Sequence, residues 1–591
     1  MLIRLGRLLA KPAVQTGLMF GGLTAARAYQ PSLMARSRND QVLITAGSIA
    51  AGYIAGNVIE RIVGSAGVAT GLDRRYAAAA LGACAAAAEQ ADLPPVLNAA
   101  AAVARSGAEV SGSLAVARAK ATGRSGGAVE AAAIGATIVS ALERQLGAYA
   151  DDGRTTPPAS DVAASFGSGA AVATSAWSLV AVERAIAAAA SQAATSRLGG
   201  PRWMWRAGIH AAAISAGVLA GKVAAARFLA SLDAAADELE PGYADPPRSP
   251  LLSGGPGSVV DHGSLGVSGR RFVAEAMPAP IINEVMGVDS AVDPVRVYVG
   301  VDAATTVEDR VALAIAELRR TSAYERGLLI VGSPSGGGYL NYITVEAAEY
   351  FTRGDIATVT IQYGKRPSIL SLDRVALAQR QHRALVEAIR DDLNQRGPED
   401  RPRLVLYGES LGAQTSQDSF SQPGFDALAE HLVDNALWVG TPYAARFRRA
   451  VLSGNPVDAS FGQSAAIGDH DPATRYHFLD HHEDPVTLFT PSIFYRRPPW
   501  LGAPADRPPN VSKTQRWVPA VTFWQTVFDT KNATEIVPGE FNAFGHDYRA
   551  DLAEFVRVAY AIDGVSENQM ARVEEALRRS EIERAARMSS P

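Results

Sequence analysis

The residues best suited to chemistry lie in the stretch RLVLYGESLGA (403–413), whose centre GESLG (408–412) has the spacing G-x-S-x-G. An apolar run ends at Gly408, and a helix can begin after Ser410. This is the strand–turn–helix setting of a nucleophile elbow, in which a sharp turn exposes a serine hydroxyl. Larger side chains at the flanking glycine positions would clash in such a turn. We therefore predict that Ser410 is the nucleophile of an acyl-transfer reaction.

A serine hydroxyl is a weak nucleophile until a neighbouring base takes its proton. In enzymes built on this elbow, the acid and then the histidine follow the serine along the chain. The stretch YHFLDHHEDPVTLF (476–489) places Asp484 in a loop after a predicted strand, and we predict that Asp484 is the acid. Asp480 is the alternative, because strand ends are uncertain by a few residues. His546 follows this acid and precedes the last helix of the domain, so we predict that it is the base.

The negatively charged tetrahedral intermediate of acyl transfer needs hydrogen-bond donors. One predicted donor is the backbone N–H of Leu411, directly after the nucleophile. A second should come from a loop after an earlier strand, and GLLIVGSPSGGGYLN (327–341) supplies a glycine-rich loop there. That loop lacks the Lys-Ser/Thr ending of a Walker A phosphate site. The loop residues predicted to form the rest of the oxyanion hole are Ser335, Gly336 and Gly337.

The cluster HHED (481–484) contains residue types that bind cations. It lacks the second, regularly spaced ligand that motifs such as HExxH provide. We therefore predict no metal site and no cofactor. We expect His481 and His482 to line the site or face solvent rather than to act as bases.

The nucleophile stretch belongs to a region in which short β-branched runs alternate with amphipathic helical patterns. Strands and helices that alternate at this pitch predict an α/β fold with a mostly parallel sheet and helices on both faces. Parallel strands are buried on both sides, so their sequences are continuous apolar runs, as they are here. The predicted strands are 295–301, 327–332, 357–363, 403–408, 435–440 and 476–480, and the predicted helices are 307–320, 344–354 and 374–395.

The first part of the chain is dominated by Ala, Gly and Ser. Residues 41–59 carry no charge over 19 positions, and residues 162–182 carry none over 21. A membrane-spanning helix needs roughly 20 mostly apolar residues. We therefore predict an all-α transmembrane helical domain, in which Gly47, Gly52 and Gly56 allow helices to pack closely. A soluble alanine-rich helical bundle is the alternative, because alanine is only mildly apolar.

The composition along the chain predicts several segments, because 591 residues are too many for one hydrophobic core. The net charge of -4 and the pI of about 6.2 argue against a nucleic-acid partner, which requires a basic excess. We expect the charged C-terminal helix to be solvated. The predicted segments are the transmembrane helical domain 1–235, a Pro/Gly/Ser-rich linker 236–262, the catalytic domain 263–563 and the C-terminal helix 564–591.

The chain resembles the actinobacterial α/β-hydrolases that pair an N-terminal multi-helix membrane domain with a C-terminal catalytic domain. In the first part the resemblance rests on QPSLMARSRNDQVLITAGSIAAGYIAG (30–56), which is similar to the pattern P-S-L-x-x-R…Q…G…G-Y-x-x-G of that family. One departure concerns the glycine-rich loop, where the family has T-G-T-G-W and this chain has SPSGGGY (333–339). In the second part the similar stretches are 264–273, 293–304, 313–331, 355–370 and 401–413.

The resemblance implies a membrane-associated serine hydrolase that acts on lipid or acyl-ester substrates, and it supports Ser410, Asp484 and His546 by position. The leading hypothesis is an esterase or lipase that forms an acyl-serine intermediate. An acyltransferase would use the same triad and differ only in access of the acceptor. A catalytically inactive membrane scaffold is a further alternative, against which the complete Ser-Asp-His order argues. The sequence leaves the substrate and the oligomeric state open.

Overall fold

A computed structural model describes residues 11–90, 94–120, 126–235, 240–420, 426–453, 461–464 and 474–589. Residues 236–239 of the predicted linker and the two ends of the chain lie outside the described residues. The chain divides into two compact units. The helical unit comprises Met1–Val218 and Phe489–Asn532, and the sheet unit comprises Leu219–Leu488 and Ala533–Pro591.

The described part of the chain up to residue 235 consists mainly of α-helices, as the alanine-rich composition predicts. The second helix begins with a cap, since the Ser37 side chain accepts a hydrogen bond from the Asp40 amide. The helices are Pro12–Arg27, Arg38–Thr70, Arg74–Gln90, Pro95–Lys120, Gly126–Asp151, Ala159–Leu198 and Arg202–Ala235.

Small residues bring the first two helices into close contact. A Cβ atom added to Gly52 would lie 2.8 Å from the Cα atom of Gly21. One added to Gly56 would lie 2.7 Å from the carbonyl oxygen of Thr16. By contrast, a Cβ atom at Gly47 would meet nothing within 4 Å. The predicted close packing therefore depends on two of the three glycines that the sequence singled out.

Two of the described helices, Arg38–Thr70 and Ala159–Leu198, are long and apolar enough to cross a membrane. Each contains an 18-residue window of high mean hydropathy, 1.7 in the first and 1.3 in the second. They include the two uncharged runs that the sequence predicted as spans. Membrane association is thus supported by the length and the apolar composition of these two helices.

The segment Phe489–Asn532 belongs to the helical unit, although the sequence predicted it as part of the catalytic domain. Its helix Val521–Asn532 carries Asp529, which is 1% exposed. The Asp529 carboxylate accepts hydrogen bonds of 3.0 Å from the Ser32 hydroxyl and from the Leu33 amide. Burial raises the pKa of Asp529 to about 6. A long-range polar contact thus attaches this late segment to the connection between the first two helices.

Among the described residues, the sheet unit forms a seven-stranded sheet in which every pair of neighbouring strands is parallel. This confirms the predicted α/β-hydrolase fold class. The strand order is β1-β3-β2-β4-β5-β7-β6. The strands are β1 Val295–Val299, β2 Leu328–Ser333, β3 Ile356–Ile361, β4 Arg403–Glu409, β5 Asn435–Val439, β6 Phe461–Ser464 and β7 Tyr476–Leu479.

Helices pack around this sheet and bury its faces. The helix Val307–Arg320 has the bounds that the sequence predicted, and it starts where the Thr306 hydroxyl accepts a hydrogen bond from the Asp309 amide. The other α-helices of the unit after residue 240 are Gly266–Ala274, Ala279–Met286, Tyr342–Phe351, Val375–Leu393, Leu411–Asp418, Ala427–Glu430, Arg446–Ser453, Pro485–Leu488, Arg549–Ala559 and Glu567–Ser589.

The chain changes direction across the sheet between β2 and β4. These two strands are neighbours, and Ser333 at the end of β2 lies opposite Gly408 near the end of β4. From β2 the chain continues to β3 on one side, whereas from β4 it continues to β5 on the other. Open parallel sheets bind ligands outside the carboxyl ends of the strands at such a switch point. The predicted elbow and the glycine-rich loop both start there.

Buried ion pairs fix the edge of the sheet unit and its C-terminal helix. Arg296 in β1 and Glu349 are both fully buried, and two hydrogen bonds of 2.6 and 2.8 Å join them. Arg584, on the helix Glu567–Ser589, pairs with the buried Glu346, whose pKa burial raises to about 7. The C-terminal helix is therefore attached to the unit through a buried charge, and the expectation that it would be solvated was wrong along this face.

Candidate active site

Ser410 occupies a strained turn between β4 and the helix Leu411–Asp418. Its backbone angles are φ 56° and ψ −125°, and its amide donates a 2.9 Å hydrogen bond to the carbonyl oxygen of Val439. Residues other than glycine rarely adopt this region, which costs roughly 1–3 kcal/mol. Such strain persists where the surrounding structure holds it, and it presents the serine at the carboxyl edge of the sheet.

The flanking glycines are required by close backbone approaches on both sides of Ser410. A Cβ atom at Gly408 would lie 2.6 Å from the carbonyl oxygen of Gly412. A Cβ atom at Gly412 would lie 2.2 Å from the carbonyl oxygen of Ser333. Both distances are too short for any side chain. A side chain at either position would therefore clash, as the sequence predicted. The close approach at Gly412 also places the helix after Ser410 against the end of β2.

Asp484 contacts the predicted base. Its Oδ2 atom lies 2.7 Å from Nδ1 of His546 and accepts a second 2.7 Å hydrogen bond from the Tyr548 hydroxyl. Its Oδ1 atom accepts a bond of 2.8 Å from the Val486 amide. The carboxylate is completely buried. Asp484 thus has the partners that an orienting acid needs.

Asp480, the alternative acid, has different partners. Its Oδ1 atom accepts a 2.7 Å hydrogen bond from the Thr441 amide, and its Oδ2 atom lies 2.9 Å from the Arg448 guanidinium. These contacts hold the loop after β5. The geometry therefore favours Asp484 over Asp480 as the partner of His546.

The His546 imidazole packs against the end of β5. A Cβ atom at Gly440, which has φ 56°, would lie 2.5 Å from Cε1 of that ring. Gly440 follows Val439, the residue that binds the Ser410 amide. Burial by itself lowers the pKa of His546, but the charge and hydrogen bond of Asp484 outweigh it, so the pKa lies above its ordinary value. Ser410 and His546 are thus both presented at the end of one strand.

Glu409, between Gly408 and the serine, is held by two donors. Its Oε2 atom accepts hydrogen bonds of 2.6 Å from the Asn341 amide group and 2.8 Å from the Tyr407 hydroxyl. Asn341 also caps the helix Tyr342–Phe351 by accepting from the Ile343 amide. The elbow is therefore tied to the end of the glycine-rich loop. Nothing in the local sequence pattern indicated this role for Asn341.

The glycine-rich loop after β2 uses some of its amides to hold its own shape. The Ser335 amide donates a 2.8 Å hydrogen bond to the Tyr339 carbonyl oxygen. The Gly336 amide donates a bond of 3.3 Å to the Ser368 hydroxyl. Two of the three predicted oxyanion donors of this loop are therefore engaged in this structure. Leu411 is the first residue of its helix, where N–H groups have no partner within the helix.

Comparison with protein families adds to this geometry. The model of a family described as "Alpha/beta-hydrolase family" matches residues 295–573, and the model described as "Alpha/beta-hydrolase family N-terminus" matches residues 30–276. The chain belongs to the alpha/beta-hydrolase family. Comparison with curated proteins and with solved structures found no match. The first range of this alpha/beta-hydrolase contains the elbow, both aspartates and His546.

Tyr548 is a member of the site that the sequence did not predict. It lies two residues after His546, is 1% exposed, and donates to Asp484 across 64 residues of chain. In an alpha/beta-hydrolase the acid must orient the histidine, and a second donor on the same oxygen holds the carboxylate in place. A lone tyrosine has no characteristic spacing, so only the fold could identify it.

Proposed function

We propose that this alpha/beta-hydrolase is a serine hydrolase that cleaves acyl esters through an acyl-serine intermediate, with Ser410, Asp484 and His546 as its triad. The observation that carries the proposal is the strained Ser410 at the switch point, beside the same strand end as a His546 that is paired with a buried carboxylate. A serine held in a costly conformation next to an oriented histidine is typical of an activated nucleophile.

In the proposed reaction, Nε2 of His546 takes the proton of the Ser410 hydroxyl while the serine oxygen attacks the ester carbonyl. The negative charge of Asp484 stabilises the imidazolium that forms. The imidazolium then gives its proton to the departing alcohol, which leaves an acyl-serine. Water, deprotonated by the same histidine, attacks this ester and releases the acid and the free serine. The Tyr548 hydroxyl keeps the carboxylate oriented through both steps.

The proposed oxyanion donors are the amide of Leu411 and an amide of the glycine-rich loop. Ser335 and Gly336 would first have to leave their present partners, so we propose Gly337 as the donor from this loop. Removal of one such donor typically costs about a hundredfold or more in kcat.

The proposal predicts that a fluorophosphonate probe labels the wild-type protein in membranes. Ser410→Ala should abolish the labelling, because the attacking oxygen is gone. His546→Ala should reduce it strongly, because general-base catalysis contributes about 10²–10⁴-fold. The loop 480–484 between β7 and the helix Pro485–Leu488 carries Asp484, and we call it the acid loop. The matched control is His482→Ala, at an exposed histidine of this loop, which should be labelled like the wild type. A folded wild type that takes up no probe would contradict the mechanism.

We also propose that the helical unit is a multi-pass membrane anchor. Only 11% of the apolar window in the helix Ala159–Leu198 is buried, which would be costly in water for so apolar a surface. The same holds for one face of the helix Arg38–Thr70. The exposed large apolar residues are Leu43, Ile54, Val58, Ile62 and Val68 on that helix, and Val172, Trp177, Leu179, Val180, Val182, Ile186 and Leu198 on the other.

We expect the protein to stay in the membrane fraction after extraction with alkaline carbonate, because peripheral proteins are released by that treatment. Val172→Lys, in the middle of the second uncharged run, should lower the inserted fraction, since a charge at the centre of a span costs about 2.5–3.5 kcal/mol. Ser196→Lys, on the same helix but outside the run, is the control. Release of the wild type into the supernatant would rule out an integral anchor.

A further inference from the structure

We infer that His481 is an imidazolium that positions the loop carrying His546, and that loss of its proton as the pH rises inactivates the enzyme. The inference rests on the proposed function, in which His546 is the base. His481 begins the acidic cluster HHED and is 5% exposed. It is therefore a buried titratable residue of the acid loop to which the triad assigns no role.

Both ring nitrogens of His481 face acceptors. Nδ1 lies 2.9 Å from the carbonyl oxygen of Gly545, and Nε2 lies 3.0 Å from Oδ2 of Asp551. A carbonyl oxygen and a carboxylate can only accept a hydrogen bond. A neutral imidazole donates from one nitrogen, whereas an imidazolium donates from both. Only the protonated ring satisfies the two contacts at once.

Gly545 is held from both sides by the acid loop. Its carbonyl oxygen faces His481, and its amide donates a 3.3 Å hydrogen bond to Oε1 of Glu483. Gly545 directly precedes His546 and has φ 64°. The backbone that carries the base is thus fixed by two residues that lie just before Asp484. The loop therefore positions the base both through the backbone and through the carboxylate.

Tyr548 joins the same arrangement. Its ring stacks on the His481 imidazole with centroids 4.0 Å apart, and its oxygen accepts a 3.0 Å hydrogen bond from the His481 amide. Its hydroxyl in turn donates to Asp484. A shift of His481 would consequently disturb the acid as well as the loop of His546.

The charges around His481 favour the protonated ring. Asp551 reaches it from the helix Arg549–Ala559, and Glu483 from its own loop, while Tyr548 covers one face of the ring. Burial alone lowers the pKa of His481, but the hydrogen bonds to Asp551 and Gly545 and the two carboxylate charges raise it above its ordinary value. The contacts are therefore present while His481 keeps its proton, and they are lost as the pH rises through this raised pKa.

The two histidines give kcat opposite responses to pH. His546 must be neutral to accept the serine proton, so activity rises as the pH passes through the pKa of His546. His481 must be charged to hold Gly545, so activity falls as the pH passes through the pKa of His481. We expect a bell-shaped profile of kcat whose alkaline side reports His481.

The test is the pH profile of kcat and KM for hydrolysis of a short acyl ester by the full-length protein. His481→Gln should lower kcat by between about tenfold and a hundredfold, because a shift of the His546 side chain by about 1 Å reduces the rate by that order. KM should stay within about twofold, and the alkaline fall should disappear. The control His482→Gln changes the exposed neighbour and should keep the wild-type profile.

A second pair of variants tests the charge alone. Asp551→Asn keeps an acceptor beside Nε2 but removes the negative charge, so the alkaline fall should move to lower pH by about one unit. Glu554→Gln, on the same helix but paired with Arg557, should leave the fall in place. This pair remains informative if His481→Gln does not fold, which thermal unfolding would show.

The outcomes separate this inference from the proposed function. A wild type that the fluorophosphonate probe does not label overturns the proposed function. A labelled wild type whose alkaline fall is unchanged in both His481→Gln and Asp551→Asn overturns the role of His481 only. Loss of the fall in the first variant and its shift in the second establish the role.

Discussion

Ser410→Gly is expected to abolish ester hydrolysis and to raise the free energy of unfolding by about 1 kcal/mol. The backbone at this position has φ 56° and ψ −125°, a region that is essentially restricted to glycine and costs other residues about 1–3 kcal/mol. Glycine relieves this strain. The greater freedom of glycine in the unfolded chain lowers the free energy of unfolding by about 0.4–1 kcal/mol, so the net gain in stability is smaller than the strain that is relieved.

Ser410→Ala is the matched comparison, because it removes the hydroxyl but keeps the Cβ atom that is strained. It should lower kcat by about 10⁶-fold, as removal of a catalytic serine does elsewhere, without the gain in stability. Urea unfolding of the three proteins in the same detergent measures the difference. Equal midpoints for the glycine and alanine variants would show that the turn at Ser410 stores no strain.

The sheet could be predicted from the sequence because its strands are buried on both faces. Runs such as GLLIVG, predicted at 327–332, are short, apolar and bounded by glycines, as buried strands are, and β2 is observed at Leu328–Ser333. The short edge strand β6, Phe461–Ser464, was missed because FGQS has one large apolar residue and no alternation. Local composition thus identifies central strands better than edge strands.

Contacts between distant parts of the chain were beyond prediction. The segment Phe489–Asn532 follows the acid loop in sequence, yet Asp529 binds Ser32 across 497 residues. Likewise, Arg296 lies in a run that appears apolar, and its partner Glu349 lies 53 residues away. The partner of a buried charged residue can be identified only from the fold, because no sequence spacing relates two residues that are so far apart in the chain.

The proposed triad and the residues around it illustrate the same limit. The nucleophile has a local signature, and the order of acid and base along the chain led to Asp484 and His546, which the structure places 2.7 Å apart. Tyr548 and His481 have no signature of their own. Their roles arise from the way the acid loop and the His546 loop meet. The sequence therefore identified the residues proposed to react but not those that orient them.

Asp484→Asn is expected to lower kcat by up to about 10⁴-fold while the protein stays folded. The Asp484 carboxylate accepts from Nδ1 of His546, which leaves Nε2 free to take the serine proton. An asparagine amide that turns its NH₂ group toward the ring would donate to Nδ1 instead. Nε2 would then carry the proton and could not act as a base. The Tyr548 hydroxyl, which also donates to this oxygen, favours the carbonyl end of the amide there and so limits the loss.

The role of Tyr548 can be separated from that of the charge by the double variant Asp484→Asn with Tyr548→Phe. Without the hydroxyl, either orientation of the asparagine is allowed, so kcat should fall further than in Asp484→Asn alone. The matched control is Asp480→Asn, four residues earlier, where the lost partners are Arg448 and Thr441 rather than His546. That variant should lower stability more than it lowers kcat. If instead Asp480→Asn lost 10⁴-fold in kcat and Asp484→Asn kept most of it, the assignment of the acid would have to be reversed.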